Sequence, residues 1–187
     1  MKEFETRIVN IDVDKIRQKL ININAVKVKE ENQINNIYDF NDRRLLNKKG
    51  YARIRIVEDI LNKSTHYFMT TKRLISQEKY KVMDENETEI LDAIAGDNIF
   101  KSLGLELIQS IKKYRESYKY KNTLIEIDIN EKSFCPFPYI EIETFNDEEL
   151  EEVVKLLGYT IEETTSKTIY DILAEMKHNT ENNLNSI

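Results

Sequence analysis

Like charges recur two residues apart along this chain, and the sign of the pair changes from one segment to the next. Glu3 and Glu5 precede Arg7, Arg53 and Arg55 flank Ile54, and Lys72 closes a Thr-rich run. Glu87 and Glu89, Lys113 and Arg115, Glu126 and Asp128, and Glu141 and Glu143 complete the series. In an extended strand residues i and i+2 point to the same side. Each pair therefore puts two like charges on one face, with mostly apolar residues between them. An ordinary half-buried strand turns such charges toward water. The complete series has a second use: walls of opposite sign lining a cavity that holds a polyanion and metal ions together. Basic walls neutralise phosphate oxygens and support charge redistribution in phosphoryl transfer. Carboxylate walls hold hard divalent cations.

Composition narrows the chemistry. The chain has 187 residues, enough for one substantial core. A formal charge of -6 makes nonspecific nucleic-acid binding an unfavourable main role, yet an anionic ligand remains open because the local field matters more than the total. Cys135 is the single cysteine, so an intrachain disulfide is excluded and a reducing, cytoplasmic setting is expected. Two distant histidines, His66 and His178, do not make a zinc cluster. No apolar stretch is long enough for a bilayer, and the opening residues lack a signal-peptide core, so no membrane partner is expected. No Walker loop or dinucleotide fingerprint is present.

The elements that must position these charges read mainly as strands. Residues 3–9 alternate as a first strand, and Asp12 or Asp14 caps a helix carrying Ile16, Leu20 and Ile23. Val26 to Phe40 suggests two strands separated by polar residues. A hairpin follows, from Tyr51 to Val57 and from His66 to Arg73, and then a strand ending near Ile90. A helical interval over roughly 88–102 is interrupted at Gly96. Strands over 105–118, 122–130 and 139–145 precede a helix capped at Asn146 or Asp147 and stopped by Gly158. A last helix is expected over 166–177. Many strands with few intervening helices give an antiparallel α+β domain. Closing the sheet with its charges inward would let the apolar residues meet helices outside. Such an inversion is costly without ligand, metal or countercharge, which points to a working site.

These residues resemble the CYTH, or triphosphate tunnel metalloenzyme, family. Glu3-Phe4-Glu5-Thr6-Arg7 is similar to its Glu-x-Glu-x-Lys signature, with arginine in place of lysine. Tyr51-Ala52-Arg53-Ile54-Arg55 and Thr70-Thr71-Lys72 resemble its basic strands. Glu87-Thr88-Glu89, Lys113-Tyr114-Arg115, Glu126-Ile127-Asp128, Glu141-Ile142-Glu143 and Ser166 to Tyr170 resemble the later segments. The resemblance implies an eight-stranded antiparallel closed β-barrel, the triphosphate tunnel, with surrounding helices in a single domain over 1–178. Residues 179–187 are expected to be a flexible tail. It implies metal-dependent hydrolysis of a small triphosphate, such as inorganic triphosphate, with Mg2+ or Mn2+. The alternatives are a class IV adenylyl cyclase, making cyclic AMP and pyrophosphate from ATP, and a nonenzymatic nucleotide- or polyphosphate-binding module. A homodimer is a further expectation of the family.

The site follows from the same resemblance. Arg7, Arg53, Arg55, Lys72, Lys113, Arg115 and Lys167 are expected to bind phosphate. Glu3, Glu5, Glu141 and Glu143 are expected to bind metal, with Glu87 and Glu89 binding metal or tuning nearby cations. Glu126, Asp128 and Lys72 are the expected catalytic groups.

Overall fold

The computed structural model describes residues 4–77 and 81–184, so Glu3 lies outside the described residues. Eight strands form one antiparallel sheet: β1 (Phe4–Val9), β2 (Val26–Asp39), β3 (Tyr51–Asp59), β4 (Ser64–Gln77), β5 (Lys81–Ile90), β6 (Glu106–Tyr120), β7 (Thr123–Asn130) and β8 (Tyr139–Thr144). Four helices accompany it: α1 (Val13–Asn22), α2 (Ala93–Ser102), α3 (Asp147–Leu156) and α4 (Ile169–Leu184). The sheet order is β1-β8-β7-β6-β2-β3-β4-β5.

The expected barrel is not closed. β1 and β5 stand at opposite ends of the sheet order and do not pair among the described residues. The free edge of β1 takes a different partner. Arg7 N donates to Thr165 O at 2.8 Å, and Thr165 N donates back to Arg7 O at 2.9 Å. The segment leading into α4 thus satisfies backbone groups that a β1–β5 ladder would need. The sheet is open but curled, because a single cavity is lined by Glu5 and Arg7 of β1 and by Lys72 and Glu85 from β4 and β5.

Register decides which side chains share a face, since directly opposed residues in a ladder point the same way. Glu5 opposes Glu143, and Arg7 opposes Glu141. Glu141 opposes Glu126, which opposes Ser117, while Asp128 opposes Arg115 and Arg115 opposes Glu31. Asn35 opposes Arg55, Arg53 opposes Thr70, and Thr70 opposes Glu87. One face therefore carries the charges from edge to edge.

The opposite face is apolar and covered by helices. Ile8, Ile125, Ile127, Ile140 and Ile142 pack with Ile16 and Leu20 of α1 and with Val153 and Val154 of α3. Tyr38, Ala52 and Ile54 pack with Phe100 of α2, the Tyr38 and Phe100 rings 5.1 Å apart. Side-chain caps from Asp12, Asp92 and Asn146 start α1, α2 and α3. α4 instead meets Cys135, Phe137 and Tyr139 near one end of the charged face.

Three element readings change. The polar residues after Val28 do not divide two strands: β2 runs unbroken for 14 residues, with Glu31, Gln33 and Asn35 buried on the charged face. Gly96 does not interrupt α2 but lies buried inside it, where a Cβ would come within 2.7 Å of Ile90 Cδ1. The last helix extends to Leu184, past the end of the apolar pattern.

Candidate active site

A cavity of about 420 Å³ opens on the charged face. Its acidic side holds Glu5, Glu141 and Glu143, and its basic side Arg53, Arg55 and Lys72. Both sets come from the predicted strand pairs, because alternate residues of each strand project into the same space. Arg7, Lys113 and Arg115 also line it.

The acidic side is organised around β7 and β8. One oxygen from each of Glu126, Glu141 and Glu143 lies within 4.8 Å of the others. Glu141 is paired with Arg7 at 2.7 Å and Arg115 at 2.9 Å. Burial works against its ionisation, but Arg7, Arg115 and Lys113 outweigh that and hold the carboxyl well below the usual range. Glu143 has the opposite balance. Burial, and then the neighbouring Glu126, Glu141 and Glu5, push its carboxyl up to about 7. Three clustered hard oxygen donors, with Glu143 repelled by its acidic neighbours, fit a divalent cation such as Mg2+ or Mn2+.

The two expected catalytic carboxylates, Glu126 and Asp128, are both ion-paired to β6 cations. Asp128 is fully buried and takes hydrogen bonds from Arg115 Nε and Nη2, each 2.6 Å long, and from Lys113 Nζ at 3.0 Å. It is the counterion that orients two cations, with no oxygen exposed for water. Glu126 accepts from Ser117 Oγ at 2.8 Å, pairs with Arg115, and contributes to the acidic trio. Its geometry is that of a candidate metal ligand instead of a free base.

Lys72 reaches the cavity and pairs with Glu85 at 2.8 Å. Burial disfavours its charge, but Tyr51, Glu85 and Glu5 more than compensate and raise its pKa. Lys113 is shifted the other way, by burial and by Arg115. Lys167 is not brought in by its ammonium, which pairs with Glu175 at 2.7 Å. Its backbone carbonyl accepts from Arg7 Nη1 at 2.9 Å instead. Glu87 accepts from both Arg53 and Arg55, whereas Glu89 is turned to His66, 2.6 Å away. The substitution of arginine for lysine at position 7 has a visible result: the guanidinium spans Glu5, Glu141 and the Lys167 carbonyl together, which a single ammonium cannot do with a planar fork.

Sequence reasoning missed the neutral and acidic residues that complete the face. Glu31, Gln33, Asn35, Thr70, Glu85 and Asn130 share it through strand register. Alternation of residues 31, 33 and 35 was a usable signal, but amides and an isolated Glu carry less contrast than paired charges.

The sequence profile of the CYTH domain matches residues 1–169. This chain belongs to the CYTH domain family. No curated protein matches it. Among solved structures, the PH1819 protein of Pyrococcus horikoshii OT3 is 25% identical with a TM-score of 0.75, covering 94% of this chain and 99% of that one. An adenylate cyclase candidate from Vibrio parahaemolyticus is 16% identical, TM-score 0.72, covering 92% of this chain and 97% of its own. A candidate adenylyl cyclase from Hippeastrum, described as revealing a dominant triphosphatase activity, is 18% identical, TM-score 0.67, covering 92% and 94%. The chain is thus a CYTH-fold protein with an acidic cluster able to chelate a divalent cation. Among the described residues no helix is long and apolar enough to cross a membrane.

Proposed function

We propose that this CYTH protein catalyses metal-dependent hydrolysis of a small triphosphate, with inorganic triphosphate as the first substrate to test. The observation carrying this reading is that a three-glutamate cluster presents Glu141 and Glu143 to a cavity also lined by arginine and lysine. Family membership and the activity described for the Hippeastrum protein support it.

Glu5, Glu141 and Glu143, joined by Glu126, would hold Mg2+ or Mn2+. When bound, the ion supplies Lewis-acid neutralisation of phosphoryl oxygens. Arg53, Arg55 and Lys72 receive the nonbridging oxygens and stabilise charge as the terminal phosphoryl group is transferred to water. Asp128 orients Lys113 and Arg115, and Glu141 orients Arg115 and Arg7, within a partly dry site where such interactions gain strength.

The decisive experiment incubates purified protein with inorganic triphosphate, ATP and thiamine triphosphate under separate Mg2+ and Mn2+ conditions. Chromatography separates orthophosphate release from cyclic AMP with pyrophosphate. Orthophosphate release that EDTA abolishes and Glu143→Gln lowers by at least about 100-fold is expected for loss of a metal-held transition-state interaction. Cyclic AMP formation would move the assignment to cyclisation. Binding without turnover would leave a polyphosphate-binding module.

A further inference from the structure

Arg53 and Arg55 project from the same side of β3 and are like charges two residues apart. Left alone they would repel and splay unpredictably, since long side chains lose rotamer entropy when fixed. The next two strands supply what fixes them. Thr70 of β4 opposes Arg53, and Glu87 of β5 opposes Thr70, so the three stand in a row across the sheet. Thr70 is fully buried and donates its hydroxyl to Glu87 Oε2 at 2.6 Å. The same oxygen accepts from Arg53 Nη2 at 3.2 Å, while Oε1 accepts from Arg55 Nη2 at 2.8 Å. One carboxylate therefore takes one arginine on each oxygen. Its own orientation is set by a hydroxyl that the ladder holds in place.

Two further details say what this arrangement leaves open. The Nε atoms of Arg53 and Arg55 are buried and have no partner. A buried guanidinium N–H without an acceptor is costly, so the site is built for an acceptor that arrives from outside the chain. Both arginines line the cavity, whereas Glu87 is not part of its wall. Glu85 differs: it lines the cavity, pairs with Lys72 at 2.8 Å and reaches Arg53 only at 3.6 Å, so it shares space with any anion bound there.

We propose that Glu87 is a positioning residue that divides its two oxygens between Arg53 and Arg55, holding them as a two-pronged fork for a single phosphoryl group. This rests on the triphosphate reading and deepens it, assigning the fork to phosphate and the opposite wall to the cation. The charge of Glu87 would by itself repel phosphate. Its anchoring by Thr70, outside the cavity wall, is what favours orientation over competition.

The test has two arms, using Glu87→Gln, Glu87→Asp and Thr70→Val in the full chain, with folding checked by circular dichroism. In the ligand-free protein, 15N NMR follows solvent exchange of the arginine Nη–H groups that donate to Glu87. Wild type is expected to show slow exchange at both positions, Glu87→Gln to lose it at both, and Glu87→Asp to recover part. Unchanged exchange in Glu87→Gln overturns the proposal. The second arm titrates inorganic triphosphate in EDTA by calorimetry. Glu87→Gln is expected to weaken binding by about 10-fold or more, the scale of one charge-assisted hydrogen bond, and Thr70→Val to weaken it in the same direction. Equal or tighter binding by Glu87→Gln would make Glu87 a competing anion and overturns the proposal. Should wild type fail to bind triphosphate at all, the substrate reading falls, while the exchange arm still decides whether Glu87 holds the two arginines.

Discussion

Glu143 shows how one side chain can report on the whole acidic wall. Its carboxyl ionises near 7 because it is buried and faces Glu126, Glu141 and Glu5. A folded-state value above the unfolded one means the folded protein binds the proton more tightly. The associated stability is present at low pH and is lost as pH rises from the ordinary carboxylate range through about 7. The full effect is on the order of 3 kcal/mol. Metal-free wild type is therefore expected to gain stability relative to Glu143→Gln as pH falls from about 7.5 to about 5. Denaturant titrations of both proteins across that window measure the difference. A pH-independent difference would mean Glu143 ionises normally. Divalent metal should bind more tightly as pH rises through the same range, because the cation competes with that proton.

At the scale of elements, the approach of β3 to β4 depends on Gly50. A Cβ there would fall 2.5 Å from the Lys72 carbonyl oxygen and 3.1 Å from Arg73 Cα, both backbone atoms that cannot rotate away. Tyr51 opposes Lys72 in the ladder, so relief of the clash must shift the strand end that carries Lys72 into the cavity. Gly50→Ala is expected to cost about 1–3 kcal/mol, as overpacking does, and to lower triphosphate turnover along with stability. Wild-type melting temperature and kcat/KM in this variant would show that the strands tolerate the added methyl. Gly96 differs because its nearest neighbours are the side-chain ends of Ile90 and Ile54.

The shape of the molecule turns on how the β1 edge of the sheet is finished. β1 is bridged by Thr165 through two backbone hydrogen bonds, Thr6 Oγ1 adds a third at 3.3 Å, and the Arg7 guanidinium reaches the Lys167 carbonyl. The segment entering α4 thereby ties the acidic wall to the helix whose first residues line the cavity. Thr165→Pro removes the returning N–H and should destabilise the protein by about 1–3 kcal/mol, the penalty for an unpaired backbone group. Thermal melts measure this directly, and an unchanged Tm would show that the bridge contributes little.

The sequence alone determined most of the strands, narrowed the caps of α1 and α3 to Asp12 or Asp14 and Asn146 or Asp147, and put Glu5, Arg53, Arg55, Lys72, Glu141 and Glu143 on charged strand faces. Period-2 alternation is local, and every strand carries it independently of its neighbours. Tertiary structure alone decided that Asp128 is an interior counterion, that Lys167 faces Glu175, and that Glu126 stands with Glu141 and Glu143. Each depends on which strand lies beside which, and pair spacing along the chain does not encode that. The open sheet has the same origin. Alternation says that a strand has an inner and an outer side, but closure depends on which segment pairs with the free edge of β1, and here Thr165 bridges it.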